Sequence, residues 1–147
     1  MSTLEVSHIK RYLRDYRYWQ AQIAYCNQEL ERIRYEMAQV KGVSFDHEGG
    51  VSSYHSGAKP DRFHDLSKEA DKISADRSIA IRHVTEIQRI CEESTEPWIM
   101  TEVFINGRTF REVGEELSKV DGAIWYDQMV DNKIKRAIAI YLENNKI

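Results

Sequence analysis

The side chains in this chain that are suited to chemistry are amides and cations, not acids, bases or nucleophiles set out for catalysis. Trp125, Gln128, Asn132, Lys135 and Arg136 fall on one side of a helix at 100° per residue, while Ala123, Val130, Ile134, Ala137 and Tyr141 fall on the other. Asn, Gln and Arg are the side chains that pair bidentately with base edges in a major groove. With Arg108, Thr109 and Lys119 just upstream, they make the candidate DNA-binding set: Arg108, Thr109, Lys119, Trp125, Gln128, Asn132, Lys135 and Arg136. Trp125 and Met129 form a competing candidate, a protein-binding surface, because aromatics and Met are enriched at interfaces.

Other constellations point to less. His47, His55, His64 and His83, with Asp46 or Asp65 nearby, match no zinc-ligand spacing, so no metal is expected. Asp65, Glu69, Asp71 and Asp76 read as a solvated helix face. No Gly-rich phosphate loop, Ser/His/Asp arrangement or Cys/His nucleophile pair stands at useful spacing, so neither an enzyme nor a cofactor is predicted. Lys10, Arg11, Arg14 and Arg17 interleave with Tyr12, Tyr16, Tyr18 and Trp19, a pattern that could bind nucleic acid. Their aromatics sit at core positions, which favours packing with basic flanks.

These groups need helices to hold them. Ile9, Tyr12, Tyr16, Trp19, Ile23, Cys26, Leu30, Ile33, Met37 and Val40 recur at alternating steps of three and four, the stripe of a helix that winds around a neighbour. Ser2 and Glu5 suit a capping box and Gly42 a stop, which predicts one helix over about 4–41. Glu29, Arg34 and Glu36 flank the stripe, where charges select a partner helix. Residues 42–60, rich in Gly and Ser, read as a mobile loop. After Pro60, with Asp61 as N-cap, a second stripe runs Phe63, Leu66, Ala70, Ile73, Arg77, Ala80, Val84, Ile87 and Cys91, interrupted at Arg77. Two such helices bury their stripes by folding back on each other.

Further on, Pro97 suits the first turn of a short helix over 97–104, and Asn106-Gly107 a turn. Thr109 and Glu112 make a capping box for a helix through Leu117 or Ser118, and Asp121 is the expected cap of a last helix to about Asn144. The predicted fold is all-α: a long, coiled-coil-like antiparallel hairpin over 1–95, then a helix-turn-helix-like three-helix unit over 96–147.

Charge narrows the function classes. A net charge of -3 argues against general phosphate-backbone binding while leaving local patches open, and the only segment with a basic excess is 1–41, with seven basic and five acidic residues. Cys26 and Cys91 fall at core positions and read as buried thiols of a reducing compartment. The first residues lack the apolar run of a signal peptide, and no window approaches the roughly 18 apolar residues of a membrane span, so a cytoplasmic protein with no membrane contact is expected.

The stretch Val103-Phe104-Ile105-Asn106-Gly107-Arg108-Thr109-Phe110-Arg111-Glu112-Val113-Gly114-Glu115-Glu116-Leu117 resembles the small late-transcription regulators of phages of Gram-positive bacteria, of the RinA and ArpU type. In that family an aromatic or aliphatic pair and a Gly turn precede a helix reading aromatic-x-Glu-Ile-Ala-x-x-Leu, and Phe110, Glu112, Val113, Gly114 and Leu117 take those places. Gly114 stands for the usual Ala, and Asp121, Gly122, Ala123 and Ile124 replace a Ser-led basic start to the recognition helix. The resemblance implies a C-terminal part like region 4 of sigma factors and a bacterial host cell. As partners it implies promoter DNA and host RNA polymerase or another host protein; a homodimer is expected separately, because two helices leave a shallow groove and this hairpin carries many tyrosines along its sides. The alternative is an adaptor or inhibitor that keeps the scaffold without binding DNA, since Asp121, Asp127 and Asp131 would repel phosphate.

Overall fold

The fold is seen in a computed structural model that describes residues 3–46 and 58–146, with side chains described over 3–40 and 61–146. The protein is all-α, with no strand among the described residues. The helices are α1 (Thr3–Arg14), α2 (Tyr16–Asp46), α3 (Ala58–Glu93), α4 (Pro97–Met100), α5 (Phe110–Asp121) and α6 (Asp127–Asn144), with a π-helical turn at Thr101–Ile105. The expected capping box at Ser2 and the middle of the expected 42–60 loop lie outside the described residues.

In the long helices, three boundaries differ from the expected ones. The first helix is broken at Asp15, whose amide reaches back only three residues, to the Tyr12 carbonyl at 3.0 Å, before Trp19 N–H resumes the ladder on the Asp15 carbonyl. It also runs past Gly42 to Asp46. Gly lowers helix propensity by about 1 kcal/mol but stops a helix only where the backbone turns left-handed. α3 starts at Ala58 instead of being capped by Asp61; Pro60 then stands in the first turn, where its missing amide hydrogen has no helical partner to lose.

Residues 3–19 and 82–146 form one compact unit, and Gln20–Ile81 the other. In the second, α2 and α3 run antiparallel: Arg77 donates to Asn27 at 3.0 Å, Arg32 to Glu69 at 2.8 Å, and Arg62 pairs with Glu36. Cys26, Ile33, Leu66 and Ala80 are buried between these helices, and the predicted stripe positions from Ile23 to Val40 are all at least half-buried. Arg32 and Glu36 make the cross-helix pairs, Glu36 as expected, whereas Arg34, expected in that role, reaches only Glu31 on its own helix.

The first unit departs from the predicted boundary at residue 95. One buried cluster joins Leu13 and Tyr16, Ile87, Ile90 and Cys91 of α3, and Ile99, Met100, Phe104, Val113, Val130, Ile134, Ala137 and Ile138 from the C-terminal helices. Fifty residues in three short helices enclose too little apolar surface to stand alone, so they complete a core with the ends of the long helices. Around it, Tyr12 Oη donates to Glu86 at 3.2 Å and lies 2.8 Å from His83 Nδ1. A hydroxyl has one proton, so His83 satisfies this geometry as the Nδ1–H tautomer. Burial, followed by the Glu86 carboxylate, pushes the Tyr12 phenol up to about 12. Gln88 donates to Tyr16 Oη at 2.9 Å, and Trp19 stacks on His83 with ring centroids 4.2 Å apart.

Both cysteines are free and buried, and burial pushes the Cys91 thiol up to about 12. No described helix is long and apolar enough to cross a membrane.

Leu13 is the test of the shared core, being fully buried although the periodic stripe passes it by. Leu13→Ala is expected to destabilise the protein by about 2–5 kcal/mol, the usual cost of a core cavity. Urea denaturation should show the C-terminal helices unfolding in the same transition as α1. A separate, unshifted transition for 96–146 would contradict a common core.

Candidate nucleic-acid interface

The candidate residues are carried by the turn before α5, by α5, by the turn after it, and by α6. Thr109 caps α5 as expected: its Oγ1 accepts the Glu112 amide at 3.1 Å, and Glu112 Oε1 accepts the Thr109 amide at 3.1 Å. The Thr109 amide, followed by the Thr109 hydroxyl that also donates to Oε1 at 3.0 Å, holds the Glu112 carboxyl below its ordinary range. α5 runs beyond Ser118 to Asp121 and ends where Gly122 turns left-handed at φ 73°, its amide donating to the Ser118 carbonyl at 2.9 Å. A residue with a Cβ would be strained at that φ.

Asp121 does not cap α6, which begins at Asp127 after Tyr126. It ties the turn instead: Oδ1 accepts from the Ala123 amide and Oδ2 from Trp125 Nε1, both at 2.9 Å, and these bonds lower its pKa. Ser118 Oγ accepts from the Trp125 amide at 3.2 Å. Buried Gly114 lets this turn close down, because a Cβ there would meet the Trp125 carbonyl oxygen at 3.2 Å. The Ala expected from the resemblance would crowd that oxygen. Ala123, expected on the buried side of the last helix, is instead exposed in the turn, before the helix begins.

Within α6, Val130, Ile134, Ala137 and Ile138 are buried and Tyr141 half-buried, while Gln128, Met129, Asn132, Lys135 and Arg136 are exposed. Gln128 Nε2 donates to Asn132 Oδ1 at 3.0 Å. Trp125, Met129, Asn132, Lys133 and Arg136 line a depression of about 260 Å³. Lys133, which the sequence reading passed over, stands four residues from Met129 and lies 3.7 Å from Glu96. Helical spacing alone would have found it.

The remaining candidates are disposed differently. Arg108 is half-buried and occupied: it pairs with Glu102 at 3.0 Å and with Glu116. Lys135 pairs with Asp131 at 3.1 Å. Lys119 and Arg136 are exposed, with no ion-pair partner among the described residues. Asp131, an expected source of repulsion, also pairs with Lys10 of α1. Burial would raise the Asp131 carboxyl, but Lys10 and Lys135 together outweigh it and hold it below 3.8. An apolar edge adjoins the depression, with Val120, Ile124 and Tyr126 exposed by 81%, 70% and 64%.

The described residues hold no group of three or more His, Cys, Asp or Glu arranged to take a metal ion; His47 and His55 lie outside them. Comparison with protein-family models, curated sequences and solved structures gives no match to this chain.

The Lys10–Asp131–Lys135 cluster joins α1 to α6 and should show in the pH dependence of stability. Because the folded Asp131 value is depressed, its contribution is complete above 3.8 and is lost as pH falls through the lower folded value. Asp131→Asn should therefore melt at lower urea than wild type at pH 6, with the deficit narrowing as pH drops below 3.8. Equal midpoints at pH 6 would mean that this cluster contributes nothing to docking α1 on α6.

Proposed function

We propose that this chain is a transcription regulator of the phage late-gene type, in which α6 enters the major groove of promoter DNA. The observation that carries the reading is the exposed face of α6. Gln128, Asn132 and Arg136 stand on successive turns, with Gln128 hydrogen-bonded to Asn132, while the opposite face is buried. The one carboxylate between Gln128 and Arg136, Asp131, is neutralised by Lys10 and Lys135. A side-chain pair already ordered by its own hydrogen bond loses less entropy on meeting a base pair. The capped α5, the left-handed Gly122 and the buried side of α6 supply the order of elements of a helix-turn-helix.

The hairpin at Gln20–Ile81 is the part we assign to self-association or to holding host RNA polymerase. Two helices leave apolar side chains uncovered, and here Tyr25, Tyr35, Ile79 and Ile81 are exposed.

A second reading, a protein-binding adaptor or inhibitor on the same scaffold, is favoured by the exposed Val120, Ile124 and Tyr126 beside Trp125 and Met129. The two readings separate in one assay. Duplexes selected from a random pool by the wild-type protein should lose at least about tenfold in affinity toward an Asn132→Ala, Arg136→Ala variant of unchanged helical content, since each base contact discriminates by about 1–3 kcal/mol. Fluorescence anisotropy measures this. No selectable duplex, together with a stoichiometric host protein retained by wild type and released by Ile124→Asp, would establish the second reading.

A further inference from the structure

Beside the interface lies a second cationic feature that the reading above leaves unused. Arg14, at the end of α1, and Arg17, in the first turn of α2, border a cavity of about 480 Å³ whose walls include Phe104, Gly107 and Phe110. The break at Asp15 separates the two arginines. Arg14 lies over the Phe110 ring, 6.0 Å from its centroid, and Arg17 Nη2 donates to the Asn106 carbonyl at 3.2 Å. Neither has a carboxylate partner among the described residues.

The carboxylates bonded to the other polar residues lining this cavity are already engaged, and Asp15, exposed between the two arginines in sequence, forms an ion pair with neither. Glu102 and Glu116 hold Arg108, which also borders the cavity, and Glu112 accepts the Thr109 amide in the α5 cap. Gly107 has a left-handed φ of 70°, and a methyl group there would overlap the Arg17 guanidinium. The Asn106-Gly107 turn thus both orients Arg17 and leaves space for it. Two guanidinium groups held by an aromatic face and a backbone carbonyl, and short of anions, fit a tetrahedral oxyanion that accepts several N–H bonds at once.

We propose that Arg14 and Arg17 form a seat for a phosphate group, filled by a backbone phosphodiester when DNA lies on α6. The seat itself follows from this cavity; only the source of the phosphate rests on the DNA reading. It would place the sequence-independent contact on the one segment with a basic excess, away from the amide face that meets the bases.

Two measurements test it on the full chain. In the first, the affinity for a selected duplex is followed against salt for wild type, for Arg14→Gln, Arg17→Gln and for the control Arg11→Gln, an exposed neighbour on α1 outside the cavity. Losing one phosphate contact should flatten the log–log salt slope by about 0.9 in the double variant and leave the control unchanged. In the second, inorganic pyrophosphate is titrated while NMR follows the Gly107 and Phe110 amides and the arginine Nε resonances. Shifts that saturate in wild type and vanish in the double variant are expected.

A flattened slope supports the seat with DNA as its source, and saturable shifts with an unchanged slope support it with a free phosphate as its source. Pyrophosphate shifts without any duplex binding leave the seat standing and remove the DNA reading. An unchanged slope with no arginine-dependent shifts overturns the seat while duplex binding by wild type keeps the DNA reading. An Arg14→Lys, Arg17→Lys variant that keeps the charge but binds no better than the Gln variant would show that fork geometry, not charge alone, holds the anion.

Discussion

The burial of one apolar cluster shared by distant parts of the chain is the constraint on which the first unit depends. Leu13 and Tyr16 come from the first twenty residues, Ile87 and Cys91 from the end of α3, and Val130, Ile134, Ala137 and Ile138 from α6. None of these contributors buries enough surface alone, and hydrophobic stabilisation scales with the area removed from water. The C-terminal helices are therefore ordered only when the ends of the long helices are present. A surface displayed by α6 is rigid because its opposite face is clamped against α1, α4 and α5.

Electrostatics then decides what that surface can offer. Of the cations in the C-terminal part, Arg108 is committed to Glu102 and Glu116, Lys133 lies near Glu96, and Lys135 is bound to Asp131. On α6, Arg136 is the one cation that stands outside any ion pair among the described residues. A surface so sparing of free charge gains little from long-range attraction, so in the function proposed above recognition there would come from directional contacts by the Gln128 and Asn132 amides and from shape. In the proposed seat, Arg14 and Arg17, which have no carboxylate partner among the described residues, would supply what α6 lacks. The same division of labour, charge on one element and directional groups on another, underlies selective recognition in general.

Much of this was legible in the sequence, and where it was not the reason is local or tertiary. The stripe from Ile23 to Val40 is at least half-buried, because a heptad period belongs to the helix itself. The Thr109–Glu112 box and the Asn106-Gly107 turn formed as expected, because both depend only on near neighbours. Asp121 was misjudged as a cap because its chemistry suits two local roles, and the choice was made by Trp125 Nε1 arriving within 2.9 Å. Leu13 was overlooked because it sits off the stripe facing α3 and is covered from elsewhere in the shared core.

By itself the sequence determined the class of fold, the antiparallel pairing of two long helices and the side of α6 that turns inward. All three follow from periodicity and from steric preferences that act within a few residues. Tertiary structure alone decided that the last fifty residues share a core with the first twenty, that Asp131 is held by Lys10, and that Arg14 and Arg17 border one cavity with Gly107. Those facts join residues about ninety or more positions apart, and no local pattern records which distant side chain will arrive to satisfy a buried surface or an unpaired charge.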